Sequence, residues 1–176
     1  MKILDLGCGN KKTDGSTGID INPELGADIV HDLNVYPYPL GDNEYDMVIC
    51  NDILEHLDDV VRTMDEIYRV SRNGCIVKIR VPYASGKYVF ADPTHKRGFT
   101  KGSFDYFCEG TDAYRKGYTK SKFEKLSVEF EKVCFRNHWG DRFLVRMANR
   151  HKDYYETRFM YIFPIETVYF ELKAVK

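Results

Sequence analysis

The first 82 residues alternate short apolar runs with polar, turn-rich connections. Apolar runs occupy residues 3–6, 17–21, 27–33, 45–50 and 75–81, and each has the length of a buried strand. Strands that alternate with connections of this kind are typical of a parallel sheet with helices packed on it. The pattern therefore predicts an α/β fold.

One connection carries a clear helical pattern. Over residues 58–72 the apolar side chains recur mostly at three- and four-residue spacing, and the sequence Asn73-Gly74 predicts the end of this helix. The apolar positions are Val60, Val61, Met64, Ile67, Tyr68 and Val70.

The second half of the chain breaks this rhythm. Residues 83–122 are rich in Gly, Lys, Tyr and Phe and are predicted to form a long, partly ordered insertion, and loops of this length are usually functional. Residues 122–128 suggest a short helix, whereas 130–139 and 167–175 suggest strands. The expected result is a single domain over residues 1–176 that ends in an antiparallel strand pair.

Length and composition exclude several classes of protein. A chain of 176 residues suits one domain, and no apolar run approaches the roughly 20 residues that cross a bilayer. The N-terminus lacks a signal-peptide core, so we expect a cytoplasmic protein with no membrane partner. Five scattered cysteines without C-x-x-C spacing favour free thiols over disulfides or a structural zinc site, and no metal site is predicted.

The charge is unevenly distributed. Residues 1–81 carry a net charge of −7, with 8 Lys and Arg against 15 Asp and Glu, whereas residues 82–158 carry +6. The basic side chains of the second half have two interpretations, a solvated face or a surface for an anionic, phosphorylated or nucleotide-linked molecule. They include Arg142, Arg146, Arg150, His151, Lys152 and Arg158.

The strongest motif lies where the first strand ends. The sequence Leu4-Asp5-Leu6-Gly7-Cys8-Gly9 is followed by Gly18-Ile19-Asp20 at the end of the second strand. Ligands of open α/β sheets bind beyond the carboxyl ends of the strands, and glycine allows the backbone to approach a ligand closely. An acidic side chain at the next strand end can accept hydrogen bonds from both hydroxyls of a ribose.

This motif resembles that of the class I S-adenosylmethionine-dependent methyltransferases. The segment Asn51 to Leu57, which contains Leu54-Glu55-His56-Leu57, is also similar to the family's fourth-strand segment. The resemblance implies a Rossmann-like, mostly parallel twisted sheet with helices on both faces and S-adenosyl-L-methionine as cofactor. The cofactor-binding residues that it implies are Asp5, Gly7, Cys8, Gly9, Asp20, Ile21, Asp32, Leu33, Asn51, Asp52 and His56.

The sequence Asp92-Pro93-Thr94-His95 is similar to an insertion in one methyltransferase subgroup. We therefore expect residues 83–122 to form a substrate lid.

Two departures from the family stand out. Gly7 and Asp20 are separated by only 13 residues, too few for a full crossover helix, so that helix is expected to be lost or reduced to a turn. The chain also begins at its first strand, so the N-terminal helices that often cap the substrate in this family are not expected. A homodimer in which the partner subunit supplies this cap is left open.

The resemblance implies methyl transfer, with O-methylation of a small polar molecule as the preferred reaction. An oxygen or nitrogen nucleophile can require a general base, and the candidates, in order, are His95, His56 and Asp92. The alternative for each is structural, since His56 can brace the following helix and Asp92 and His95 can stabilise the loop through local hydrogen bonds.

Three other functions are weighed against this one. The basic second half with its aromatic residues suggests a nucleic-acid methyltransferase, but no Asn-Pro-Pro-aromatic tetrapeptide follows Asn51, and nucleic acid is not the expected partner. A non-catalytic S-adenosylmethionine-binding domain is a second alternative. A nicotinamide oxidoreductase is disfavoured, because Lys12 stands where the third glycine of G-x-G-x-x-G would be.

Overall fold

The computed structural model describes residues 1–133 and 139–176, and they form one seven-stranded sheet in the order β3-β2-β1-β4-β5-β7-β6. Within those ranges, no helix is long and apolar enough to cross a membrane. The strands are β1 (Ile3–Leu6), β2 (Ser16–Asp20), β3 (Ile29–Val30), β4 (Tyr45–Asn51), β5 (Ser71–Pro82), β6 (Phe123–Val133) and β7 (Ile165–Ala174). The helices are α1 (Val60–Val70), α2 (Tyr88–Ala91), α3 (Trp139–Arg150) and α4 (Lys152–Arg158).

The sheet is parallel from β3 to β5 and antiparallel at its other edge. β1 pairs with β2 and β4, and β4 with β5, whereas β7 runs antiparallel to both β5 and β6. The predicted α/β class and the terminal antiparallel pair are therefore confirmed. The strand order reverses between β1 and β4, and open sheets of this type bind ligands at that switch point.

The connection from β1 to β2 contains turns and no helix, as the short spacing predicted. β2 and β3 are joined through a short 3-10 turn, Pro23–Leu25. In the described part of the chain, α1 is the one helix that connects two neighbouring parallel strands, β4 and β5. The carboxyl edge of β1 and β2 is therefore built from loops.

Helix α1 begins as its sequence predicts but ends early. The Asp59 carboxylate caps its first turn by accepting from the Arg62 amide at 3.0 Å. The predicted stop at Asn73-Gly74 is wrong, because the helix ends at Val70 and Ser71 already pairs with β4. Gly74, at φ +82°, lies instead in an irregularity of β5.

The predicted helix over residues 122–128 is also wrong, since these residues enter β6. A bulge between Lys125 and Ser127 shifts the strand's register against β7 by one residue. That extra residue breaks the alternation that would have marked a strand. The strand predicted over 130–139 is observed as far as Val133, where β6 ends. Residues 134–138 lie outside the described ranges, and Trp139 is the first residue of α3 rather than part of a strand.

The insertion at 83–122 is anchored at both ends rather than loosely attached. Phe99 and Phe104 are buried, and the Phe104 ring packs edge-on against Phe170 of β7 at 4.7 Å. Near its end, the Ser121 hydroxyl donates to the Asp65 carboxylate of α1 at 2.5 Å. These contacts fix the path of the insertion, which leaves the carboxyl end of β5 and crosses one face of the sheet to the start of β6 at the opposite edge.

The two faces of the sheet differ in burial. On one face Val77 and Ile79 of β5 pair with Leu172 and Phe170 of β7, and all four are fully buried. On the other face Lys78 of β5 and Glu171 of β7 form an ion pair at 3.6 Å, and both side chains are about one third exposed. This strand pair therefore faces a core on one side and solvent on the other.

Candidate active site

A glycine turn follows β1 at the carboxyl edge of the sheet. Gly7 and Cys8 both donate their amides to the Ile19 carbonyl, at 2.9 and 3.2 Å, and Gly7 and Gly9 have φ of +65° and +52°. A Cβ on Gly7 would lie 2.5 Å from Ile53 Cγ1, whereas a Cβ on Gly9 would meet no atom within 4 Å. The turn is thus pressed against Ile53 at Gly7 and open at Gly9.

Asp20, the last residue of β2, is adjacent to this turn. Its carboxylate accepts from the Gly9 amide at 2.9 Å and from the Asn22 amide at 2.9 Å. A carboxylate has about four acceptor positions, so capacity remains for other hydroxyl donors. Ile21, next to it, is 63% exposed and presents an apolar surface at the same edge.

The other residues expected at the first three strand ends have mainly structural contacts. Asp5 is buried, and its carboxylate accepts from the Thr13 amide at 2.8 Å, which braces the β1–β2 connection. Asp32 accepts from the Asn34 amide at 2.9 Å, and the Leu33 side chain lies in the core. Burial, aided by the nearby Asp5 and Asp20 carboxylates, raises the pKa of the Cys8 thiol, which disfavours a reactive thiolate.

The end of β4 lies beside β5. Asn51 is exposed, and Asp52 has a left-handed backbone at φ +52°. The Asp52 amide donates to the Arg80 carbonyl at 2.8 Å, while its carboxylate accepts from the Arg80 guanidinium. This pairing holds the two strand ends together at the mouth of a cavity.

That cavity has a volume of about 360 Å³ and is predominantly polar. It brings together residues from the ends of β4 and β5, from β6 and β7, and from the insertion. The lining residues are Asp52, Glu55, His56, Arg80, Pro82, Tyr88, Asp92, His95, Glu131, Glu166 and Thr167. All three candidate bases, His95, His56 and Asp92, thus line one cavity that Asp52 connects to the glycine-turn edge.

His56 is oriented by a hydrogen-bonded chain. The Thr94 hydroxyl donates to Asp92 Oδ1 at 2.6 Å and lies 2.9 Å from His56 Nδ1. Because that hydroxyl has a single proton, it must accept from the protonated Nδ1, so neutral His56 carries its lone pair on Nε2. Burial and the neighbouring His95 lower the pKa of His56, which favours this neutral form.

Glu55 lies beside the two histidines and is 1% exposed. Neither of its carboxylate oxygens has a hydrogen-bond partner among the described residues, and His95 Nδ1 is also buried without one. His95 Nε2 lies 4.0 Å from Glu55 Oε1, and the His56 and His95 rings are 4.6 Å apart. Burial raises the pKa of Glu55 to about 8.

The cavity also contains functional candidates that the sequence did not indicate. Arg80, Glu131 and Glu166 line it, and Thr94 contributes the hydroxyl that fixes the His56 tautomer. Thr94 lies within the Asp92–His95 motif, so the sequence could have indicated it. Glu131 of β6 and Glu166 of β7 could not be predicted, because they lie near the cavity only as a result of the strand order. None of the basic residues grouped above on α3 and α4 lines the cavity.

The glycine turn, Asp20 and the strand order correspond to a known domain type. Residues 4–79 match the protein-family model described as a methyltransferase domain. This part of the chain, which contains the glycine turn and Asp20, is therefore similar to a methyltransferase domain. A search of curated proteins found no match.

Solved structures share the fold of this chain. A SAM-dependent methyltransferase from Archaeoglobus fulgidus is 19% identical with a TM-score of 0.66, over 98% of this chain and 85% of that one. A putative methyltransferase from Bacillus halodurans is 15% identical with a TM-score of 0.64, over 99% and 93% of the two chains. The family match, with this fold, supports S-adenosyl-L-methionine as the cofactor.

The residues present fit that cofactor. The absence of a side chain at Gly9 leaves space for a ligand against the backbone of the turn. The adjacent Asp20 carboxylate can still accept further hydrogen bonds. The exposed Ile21 supplies an apolar surface of the kind that covers a base. A nucleoside joined to an amino acid needs these three features at one edge of a sheet.

Proposed function

We propose that this protein transfers a methyl group from S-adenosyl-L-methionine to an oxygen of a small polar molecule held in the 360 Å³ cavity. The observation that carries the proposal is the Asp92–Thr94–His56 chain, which directs a proton-accepting nitrogen at the cavity beside the glycine-turn edge. The cofactor supplies an activated methyl group, and the protein contributes position and electrostatics.

We assign cofactor binding to the carboxyl ends of β1 to β4. The Gly7–Gly9 backbone contacts the cofactor, and Asp20 accepts from the ribose hydroxyls. Ile21, Asp32 and the Leu33 backbone hold the base, whereas Asn51 and Asp52 meet the amino-acid part at the mouth of the cavity. The complete assigned set is Asp5, Gly7, Cys8, Gly9, Asp20, Ile21, Asp32, Leu33, Asn51, Asp52 and His56.

In this mechanism the acceptor hydroxyl loses its proton to a histidine as the methyl group arrives. His56 Nε2 is the better placed acceptor, since Nδ1 is committed to Thr94 and Asp92 balances the charge that develops on the ring. His95, which packs against His56 at 4.6 Å, is the second candidate.

The cavity lining favours a neutral or cationic acceptor over an anionic one. Five carboxyl side chains surround it against one arginine, and that arginine is already paired with Asp52. The insertion contributes Tyr88, Asp92 and His95, so we assign residues 83–122 the role of a substrate lid that selects the acceptor.

The test is methyl transfer from isotopically labelled S-adenosyl-L-methionine to cell extract separated into small-molecule, nucleic-acid and protein fractions. Label should enter the small-molecule fraction with the wild type. Asp20→Ala should abolish it, His56→Gln should lower it by about 10²–10⁴-fold, and exposed His151→Gln should match the wild type.

Each contrary result selects another function. Label in the nucleic-acid fraction, with binding that weakens steeply as salt rises, would replace this proposal by a nucleic-acid methyltransferase. Tight binding of S-adenosyl-L-methionine without transfer to any fraction would indicate a non-catalytic binding domain. Full activity in both His56→Gln and His95→Gln would remove the histidine base from the mechanism.

A further inference from the structure

We propose that Glu55, His56 and His95 form a binding site for a divalent transition-metal ion. Each residue can offer one ligand atom, and these three atoms lie within 4.8 Å of one another. Two imidazoles and one carboxylate are a common protein ligand set for zinc and iron(II), with further positions left for water or substrate. The test of this inference requires neither a methyl acceptor nor methyl transfer.

The geometry needs little change to close around an ion. Ligand bonds of roughly 2.0–2.1 Å in a tetrahedral site place neighbouring ligand atoms roughly 3.4 Å apart. His95 Nε2 and Glu55 Oε1 are 4.0 Å apart, and the three ligand atoms all lie within 4.8 Å of one another, so shifts of about 0.3–0.7 Å in each side chain are needed. The backbone supports this approach, because the Lys96 amide donates to the Glu55 carbonyl at 2.8 Å.

Burial supplies the second, independent observation. Glu55 is 1% exposed and both of its oxygens lack a hydrogen-bond partner among the described residues. Buried carboxyl groups are normally hydrogen-bonded, paired or metal-bound, because their desolvation is otherwise costly. The His95 side chain is only 10% exposed, and its Nδ1 also lacks a partner. A cation would satisfy the buried groups that the protein leaves open.

The surroundings of His56 match those of a metal ligand. Ligating histidines usually donate their other ring N–H to a carboxylate, carbonyl or water, which fixes the tautomer. Here His56 Nδ1 donates to Thr94, whose hydroxyl donates to Asp92, and Nε2 is left with its lone pair. Metal binding and proton acceptance would use that same lone pair, so the two roles of His56 exclude one another at any moment.

The test measures metal binding without cofactor or acceptor. Full-length protein, freed of metal with a chelator, is titrated with Zn²⁺ by calorimetry and with Co²⁺ by visible absorption. We expect one equivalent bound, with a Co²⁺ spectrum of nitrogen and oxygen ligands that lacks intense thiolate charge-transfer bands. Such bands would instead indicate binding through one of the five cysteines.

Variants separate this site from adventitious binding. Glu55→Gln and His95→Gln should each weaken Zn²⁺ binding at least about tenfold, and Thr94→Val should weaken it about 10–100-fold. Thr94→Ser restores the hydroxyl and should recover most of the affinity, whereas exposed His151→Gln should bind as the wild type does. Circular dichroism checks that each variant is folded. If a variant at a buried position unfolds, the comparison of Thr94→Val with Thr94→Ser provides the test, because Thr94 is exposed.

Two results would overturn the proposal. One is the absence of Zn²⁺ binding to the folded wild type. The other is binding that stays unchanged in Glu55→Gln and in Thr94→Val. Since no methyl transfer is measured, failure here leaves the proposed enzymatic function untouched, and an inactive enzyme that still binds Zn²⁺ through Glu55 would uphold the site.

Discussion

Three glycines at the β1–β2 connection allow the cofactor contact to be separated from folding. Gly7, Gly9 and Gly15 all have positive φ, of +65°, +52° and +73°. They differ in what an added Cβ would meet, which is Ile53 for Gly7 and open space for the other two. Gly9 lies at the carboxyl end of β1, whereas Gly15 precedes β2 at the opposite edge of the sheet.

The expected costs of substitution by alanine follow from these differences. A left-handed backbone costs a non-glycine residue about 1–2 kcal/mol, so Gly9→Ala and Gly15→Ala should lose that much stability and agree within about 0.5 kcal/mol. Gly7→Ala adds a contact of 2.5 Å with Ile53 Cγ1, and overpacking of this kind costs about 1–3 kcal/mol more. Gly7→Ala is therefore the least stable of the three.

The assay combines urea unfolding with calorimetric titration of S-adenosyl-L-homocysteine, the demethylated cofactor. If the ligand lies against the open side of the turn, the Cβ of Gly9→Ala takes its space, and affinity should fall at least about tenfold, or about 1.4 kcal/mol. Gly15→Ala, equally strained but at the far edge, should bind as the wild type does.

A folded Gly9→Ala variant that binds the ligand with unchanged affinity would show that the turn does not contact the ligand. The double variant Gly7→Ala/Ile53→Ala tests the predicted clash between positions 7 and 53. Removing the Ile53 side chain should make the alanine at position 7 less costly than in the wild-type background. Equal stability losses in Gly7→Ala and Gly15→Ala would contradict the clash.

Two further predictions concern stability, both measured by urea unfolding. Phe104→Ala should lower the free energy of unfolding by about 3–5 kcal/mol, because the ring is fully buried between the insertion and β7. The control variant Phe90→Ala, at a residue that is 83% exposed, should change it by less than about 0.5 kcal/mol. A small loss for Phe104→Ala would mean that the insertion is not packed on the sheet. Arg69→Met should lower the free energy of unfolding by about 2 kcal/mol, because its guanidinium binds the Glu66 carboxylate at 2.7 Å and three further acceptors. The control variant Arg115→Met, which breaks an exposed ion pair, should leave the stability nearly unchanged.

The sequence was sufficient to predict the parallel half of the fold. Its strands are continuous apolar runs that end at turns, and the short Gly7–Asp20 spacing correctly indicated a missing crossover helix. It failed where tertiary structure overrides local pattern. The bulge in β6 breaks the alternation at Leu126, and α1 ends at Val70 because Ser71 joins β5 rather than because of a local stop signal.

The candidate site was predictable only in part, because its residues come from distant segments. The Asp92–His95 motif identified two of the cavity residues and Glu55-His56 two more, but their contact depends on the path of the insertion. The Lys96–Glu55 backbone hydrogen bond that brings them together spans 41 residues and carries no sequence signal.

The missing crossover helix changes what holds the glycine turn. In dinucleotide-binding folds such a turn opens a helix, whose N-terminus holds the turn and contributes its dipole. Here the Asp20 carboxylate, which accepts from the Gly9 amide, and the Ile19 carbonyl take over that structural role. Asp20 is therefore expected to affect both the shape of the turn and the ribose contact, so loss of binding in Asp20→Ala does not separate them. Gly9→Ala keeps both the amide and the carboxylate, so its effect on affinity reports the ligand contact more directly than that of Asp20→Ala.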